Sequence, residues 1–215
     1  MNHIFSAGQY CTLTRLDPAL HGDDLWAAIG GDEHAELWRY MGDGPYPDRA
    51  GFDAGLQAKA ASQDPLYHAI VEASSGRALG HASYLRMDPA HRVIEVGAIV
   101  YGPALQRTRA ATEAMYLMAK HAFVTLGVRR YEWKCNALNE PSRRAALRLG
   151  FTFEGIFRQH MIVKGLNRDT AWYSMLDSEW PDRKARFERW LAPSNFAADG
   201  IQCTPLHSLD PLELR

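Results

Sequence analysis

Apolar and polar positions change period twice along this chain of 215 residues. Residues 10–16 alternate as in a half-buried strand, and Asp17-Pro18 ends the run. From 21 to 28, 32 to 41 and 49 to 62 the apolar positions recur at helical spacing, with Gly42-Asp-Gly-Pro-Tyr-Pro47 as a loop. Residues 67–72, 78–87 and 93–100 are strand-like. They are separated by Ser74-Ser-Gly-Arg77 and Asp88-Pro-Ala-His-Arg92, hairpin-sized stretches of turn formers, so an antiparallel meander is predicted.

A polar loop follows, then a helix with Ala111, Met115, Met118 and Ala122 along one stripe, stopped at Gly127. Residues 130–135 alternate again, so strand, helix and strand imply a parallel pair with a crossover helix. Asn139-Glu-Pro-Ser142 signals a helix start with Asn139 as N-cap. Residues 153–160 and 168–176 read as a hairpin across Lys164-Gly-Leu-Asn167, and 179–191 as a last helix. The predicted class is α+β, a mixed α/β fold with a mostly antiparallel sheet and one parallel junction. The predicted layout is one domain over 1–192 and an extended or loosely attached tail over 193–215.

Composition narrows the partners. A net charge of −1 excludes the basic surface of a typical nucleic-acid module. Cys11, Cys135 and Cys203 are odd in number and far apart, so neither a disulfide framework nor a zinc site is predicted. The nine histidines lack metal-ligand spacing, and no metal is predicted. No basic stretch followed by an apolar run opens the sequence, and no run reaches the roughly 18 apolar residues that span a bilayer. A cytoplasmic protein without membrane contact is expected. There is no G-x-S-x-G elbow, H-E-x-x-H or G-x-x-x-x-G-K-[ST] to support hydrolase, zinc or nucleotide-triphosphatase chemistry.

The informative stretch is 93–126. A buried strand delivers a polar loop to a helix N-terminus, where orphan amides and the helix dipole favour an anion. Three motifs in order resemble the GCN5-related N-acetyltransferase (GNAT) superfamily, in the branch of the ribosomal-protein N-terminal acetyltransferases. The first is Gln106-Arg-Thr-Arg-Ala-Ala111, similar to the family's Q/R-x-x-G-x-G/A phosphate loop and followed by Thr112-Glu-Ala114. The second is Asn139-x-x-Ser142 with Leu149-Gly-Phe151 seven residues on, and the third is Tyr173-Ser-x-x-x-x-Glu179-Trp-Pro181. The likeness spans residues 9–181.

The resemblance implies a central sheet with one splayed parallel strand pair and direct acetyl transfer from acetyl-coenzyme A to an amine. The acceptor would be a protein N-terminus or a small amine, and a homodimer is a family-level expectation. Main-chain groups of Ala98, Ile99 and Val100 would hold thioester and pantetheine. Gln106, Arg107, Thr108, Arg109, Ala110, Ala111 and Thr112 would hold the pyrophosphate. One position departs from the pattern: Arg109 replaces the loop's internal glycine. Its guanidinium either contacts phosphate or pairs with Glu113 one turn on.

Glu95 lies eleven residues before Gln106, the spacing at which several histone-acetylating relatives place their catalytic glutamate, so the resemblance implies it as the candidate general base; a carboxylate in an apolar strand has a raised pKa, which suits that role. Alternatively it pairs with an arginine such as Arg158. The tyrosine many relatives use as acid falls at Ala146; the resemblance to the ribosomal branch, where the serine of Asn-x-x-Ser assists the departing thiolate, implies Ser142 as the candidate acid and Asn139 as a contact to the pantetheine arm or the adjacent strand. The plainer reading makes Asn139 and Ser142 a capping pair only. Trp38, Tyr40, Tyr46, Arg158 and His160 are the candidate acceptor-site residues. Two other readings stay open. One is a succinyl- or other acyl-coenzyme A donor, recognised by Arg158 or Lys164. The other is a non-catalytic acyl-coenzyme A binder, which burial of Glu95 away from any cleft would favour.

Overall fold

The computed structural model describes residues 4–209. Eight strands form one sheet in the order β1-β2-β3-β4-β5-β6-β8-β7. β1 (Ile4–Ala7) and β2 (Cys11–Arg15) lead to helix α1 (Pro18–Ile29) and α2 (Arg49–Ala61). β3 (Leu66–Glu72), β4 (Ala78–Asp88) and β5 (Val93–Tyr101) form the antiparallel meander that the turn residues predict. Helix α3 (Arg109–Lys120) crosses over to β6 (Arg130–Asn136), and α4 (Glu140–Arg148) precedes the long hairpin of β7 (Thr152–Val163) and β8 (Leu166–Leu176). Helix α5 (Trp180–Leu191) closes the regular fold.

Among the described strands only β5 and β6 run parallel, and their ladder is short. It pairs Val93 with Arg130 through Val96 with Trp133 and stops there. β6 nevertheless stays paired with β8 as far as Asn136 opposite Thr170. The two parallel strands therefore separate beyond Val96, and β5 presents an open backbone edge. The splayed pair inferred from the family resemblance is present.

Helices cover both faces of the sheet. α3 lies between the sheet and α5, and residues 110–119 are all buried, Glu113 among them. The expected stripe was too narrow because a helix sandwiched between two layers is buried all round. Thr108 caps α3 by accepting from the Ala111 amide. The helix then widens into a π turn over His121–Thr125, beside Met118, whose carbonyl also accepts from the buried Tyr84 hydroxyl (2.6 Å). Gly127, with φ of 63°, ends it in the left-handed conformation that the stop signal anticipates.

α1 and α2 cover the other face around Leu25, Ile29, Phe52 and Leu56. Between them the predicted helix over 32–41 is a 3-10 helix, Asp32–Trp38, shorter and without a side-chain N-cap. Its last residue is driven into this core.

The stretch after α5 differs most from expectation. Residues 193–209 dock onto the body: Asn195 bonds Thr204 through both ends of its amide (2.9 and 3.1 Å), Trp190 donates to Gln202 (2.8 Å), and Leu206 is 1% exposed. Single anchors such as Phe196 and Leu206 carry no period, so sequence pattern misses them. The expectation for 210–215 lies outside the described residues.

Candidate active site

The separation of β5 and β6 opens a cleft of about 1440 Å³ that runs from the N-terminus of α3 to α2. Residues 97–101 of β5 line it along the open edge. Here β5 bulges against β4, with a register shift between His81 and Ser83, and Ala98 takes φ of 46°. Two buried side chains of β4 hold the bulge. Ser83 donates to the Gly97 carbonyl (3.0 Å), and His81 Nδ1 lies 3.0 Å from the Ala98 carbonyl, so Nδ1 carries the proton. Burial, with Lys59 nearby, lowers the His81 pKa to about 4, keeping the imidazole neutral. The bulge carbonyls are thus occupied on the β4 side, leaving the opposite edge of residues 98–100 to face the cleft.

The phosphate loop reaches its helix through Arg107, at φ of 62°. The main-chain N–H groups of the first turn of α3 have no intrahelical acceptor, and the dipole adds positive potential there. Thr108 uses its hydroxyl on the Ala111 amide (3.1 Å), and Gln106 ties the loop to β5 by donating to the Tyr101 carbonyl (2.9 Å). Arg107, Arg109, Thr112 and Ala111 line the cleft, whereas the Ala110 side chain is buried in the core. Ala110 has only its amide to offer.

Arg109 does not pair with Glu113. Its guanidinium lies over the rings of Tyr10 (5.0 Å) and Phe196 (4.5 Å). Arg148 of α4, absent from the sequence expectation, approaches the same corner; it donates to Thr112 Oγ1 (3.1 Å) and lies over Trp190. Arg107, Arg109 and Arg148 line the cleft, as does Arg144, which is paired with Glu140 (3.0 Å); together they are a donor set suited to phosphate. The residues fit the diphosphate and pantetheine arm of coenzyme A.

Further in, Glu95 lines the cleft although it is 5% exposed. It meets Lys134 Nζ at 2.9 Å and Arg86 Nε at 3.6 Å, not Arg158 as the alternative had it. Burial raises the Glu95 pKa, against the opposing pull of Lys134 and Arg86. Lys134 also contacts Glu132 (2.7 Å) and sits 3.8 Å from the centre of the Trp172 ring.

Asn139 and Ser142 do form the capping pair, the Ser142 amide donating to Asn139 Oδ1 (3.2 Å). Both also line the cleft, so the cap and the cofactor contact are compatible. Ser142 Oγ accepts from Trp133 Nε1 (3.0 Å), which fixes the hydroxyl, and its own proton can be donated toward the neighbouring Cys135 sulfur or a group in the cleft. Cys135, beside it, is 6% exposed, and burial raises its thiol pKa.

Of the expected acceptor-site residues, Tyr40 and Tyr46 line the cleft. Tyr40 donates to the Leu138 carbonyl (3.1 Å) and Tyr46 to Asp43 (2.8 Å), which also pairs with buried Lys59. Burial would raise the Asp43 pKa, but Lys59 and Tyr46 hold it below its usual value. Three residues stand elsewhere. Trp38 is a core residue, 1% exposed, whose indole donates to the Ile29 carbonyl (2.8 Å). Arg158 is on the exposed side of β7, and His160 is half-buried against Thr170 (2.9 Å), neither lining the cleft. Period-two placement on β7 gave no warning, because its bulges after Phe153 and Phe157 reset which face each residue takes.

Residues 12–152 match the family model for the acetyltransferase (GNAT) domain. The chain belongs to this family and is an acyltransferase. A GCN5-related N-acetyltransferase from Brucella melitensis is 46% identical, with a TM-score of 0.94 over 98% of this chain and 95% of that one. A structure described as a "probable acetyltransferases (GNAT family)" from Chromobacterium violaceum ATCC 12472 is 42% identical, with a TM-score of 0.75 over 81% of this chain and 87% of that one. The curated relative "Putative ribosomal N-acetyltransferase YdaF" of Bacillus subtilis (strain 168) is 29% identical over 65% of this chain and 67% of its own length. No described helix is long and apolar enough to cross a membrane.

Proposed function

We propose that the chain is a cytoplasmic N-acetyltransferase that passes an acetyl group from acetyl-coenzyme A directly to a primary amine, on a protein N-terminus or a small molecule. The observation that carries this reading is the separation of β5 from β6 where the cleft meets the N-terminus of α3. The amides of the loop and the four arginines receive the phosphates, and the open edge of residues 98–100 pairs with the pantetheine amides and faces the thioester carbonyl.

Glu95 takes a proton from the incoming ammonium, directly or through water, so that a neutral amine attacks. The new C–N bond forms as the C–S bond breaks; Ser142, held by Trp133 and the Asn139 cap, gives its proton to the departing thiolate and is reprotonated by the surplus proton that the acylated nitrogen sheds. Access of Glu95 to the cleft argues for a catalyst over a silent binder. For a longer acyl donor, the cations considered earlier do not serve: Arg158 is outside the cleft, and Lys164 is bound to the Trp38 carbonyl (2.9 Å).

Thiol release from acetyl-coenzyme A, measured against pooled amines and ribosomal N-terminal peptides, tests the proposal. Release above hydrolysis with at least one acceptor is expected. Tight coenzyme A binding without release for any acceptor would replace it with the binder.

A further inference from the structure

Two carboxylates line the cleft, Asp43 and Glu95, and each already has a lysine: Lys59 for Asp43 and Lys134 for Glu95. The acidic cluster behind them is balanced as well. Glu95, Glu132 and Glu154 contact Arg86, Arg130 and Lys134, three against three. Arg168, at the start of β8, stands outside this balance.

Arg168 lines the cleft near Glu95 and Cys135, on the acyl-transfer side and apart from the phosphate arginines. It is half-buried, and its Nε is fully buried with no hydrogen-bond partner among the described residues. No described carboxylate lies within ion-pair distance. Its neighbour Asp169 faces away, accepting from the Gln159 amide (2.7 Å) and the Asn167 side chain (3.0 Å). A partly desolvated guanidinium with an idle donor is costly unless an anion completes it, and its planar fork matches a carboxylate.

We propose that Arg168 is a specificity residue that receives a carboxylate carried by one of the two substrates at the acyl-transfer end of the cleft. The proposal rests on the acyltransferase reading above. The carboxylate belongs either to a dicarboxylic acyl chain on the donor or to the amine acceptor, as in an amino acid. It takes no covalent part: the amide bond forms, the thioester C–S bond breaks, and the carboxylate stays paired with Arg168 throughout.

Calorimetry on the full chain separates the sources. Coenzyme A, acetyl-coenzyme A and succinyl-coenzyme A are titrated first; then amino acids and their carboxamides are titrated onto the coenzyme A complex. At least one carboxylate-bearing probe is expected to bind tenfold or more tightly than its uncharged counterpart. Arg168→Gln should reduce that ratio to within twofold while coenzyme A affinity stays unchanged, and Arg168→Lys should fall between. A preference for succinyl-coenzyme A puts the carboxylate on the donor, and a preference among amino acids puts it on the acceptor. Equal affinities in every pair, or a ratio that survives Arg168→Gln, would overturn the proposal alone. Failure of coenzyme A itself to bind would overturn both this and the acyltransferase reading.

Discussion

Arg109 and Glu113 stand one turn apart on α3 yet make no ion pair. The Glu113 carboxylate is turned inward, where it accepts the main-chain amides of Gln9 (2.8 Å), Tyr10 (2.6 Å) and Cys11 (2.8 Å). Arg109 is left over Tyr10 and Phe196, facing the cleft. One side chain pins the turn between β1 and β2 to the crossover helix; the other stays available to phosphate.

Glu113→Gln offers one acceptor where two oxygens now serve three donors. A loss of about 3 kcal/mol is expected, about 6–12 °C in thermal midpoint, with coenzyme A affinity little changed in the folded fraction. Gly8→Ala should act similarly, since a Cβ there would fall 2.4 Å from the Glu113 carboxyl group. A midpoint within 1 °C of the parent for both variants would refute the role.

Arg109→Gly restores the glycine of the family pattern. If Arg109 meets phosphate, coenzyme A binds roughly tenfold more weakly, and less of the remaining affinity is lost on raising the salt. An unchanged dissociation constant at low and high salt would make Arg109 a mere aromatic clasp.

Glu95→Gln is expected to lower the acylation rate at least tenfold with coenzyme A affinity nearly constant. Because burial raises this carboxyl, the parent rate should fall as pH drops through its elevated pKa, and the variant should lack that acidic limb. An acidic limb of the same shape in both proteins would remove Glu95 from the mechanism. Ser142→Ala tests the acid in the same assay, where an intact rate would exclude it.

His68 and His81 are both buried, and burial lowers each pKa to about 4 from 6.5. Their folded-state pKa values lie below the unfolded ones, so stability is full above about pH 6.5 and drains away as pH falls toward 4, at most about 3 kcal/mol per histidine. Thermal midpoints measured from pH 7.5 to 4 should fall, and His68→Phe should flatten the descent. A variant that tracks the parent would assign the loss to other groups.

The antiparallel meander, the parallel junction and the capped helix N-terminus at the cleft were legible because each rests on local signals. Turn formers at hairpin spacing fix β3 to β5, and a strand feeding a capped helix marks the anion site. What was illegible depends on distance. Arg148 reaches Thr112 from 36 residues away, and Lys134, rather than any arginine of the hairpin, neutralises Glu95. Trp38 looked like a pocket aromatic because helical spacing cannot tell which way a 3-10 turn will direct its last residue. Arg168 was visible only as one of several charges flanking a turn; its solitude needs three dimensions.

Phe196 has a consequence for timing. It forms one side of the clasp on Arg109, and it is held there by Asn195, Thr204 and Leu206 at the far end of the described chain. A ribosome-bound chain carries the loop, the helix N-terminus and Glu95 long before these residues emerge. The arginine-lined corner of the cleft is therefore completed late during synthesis, and a nascent chain lacks part of it until the segment beyond α5 has folded back.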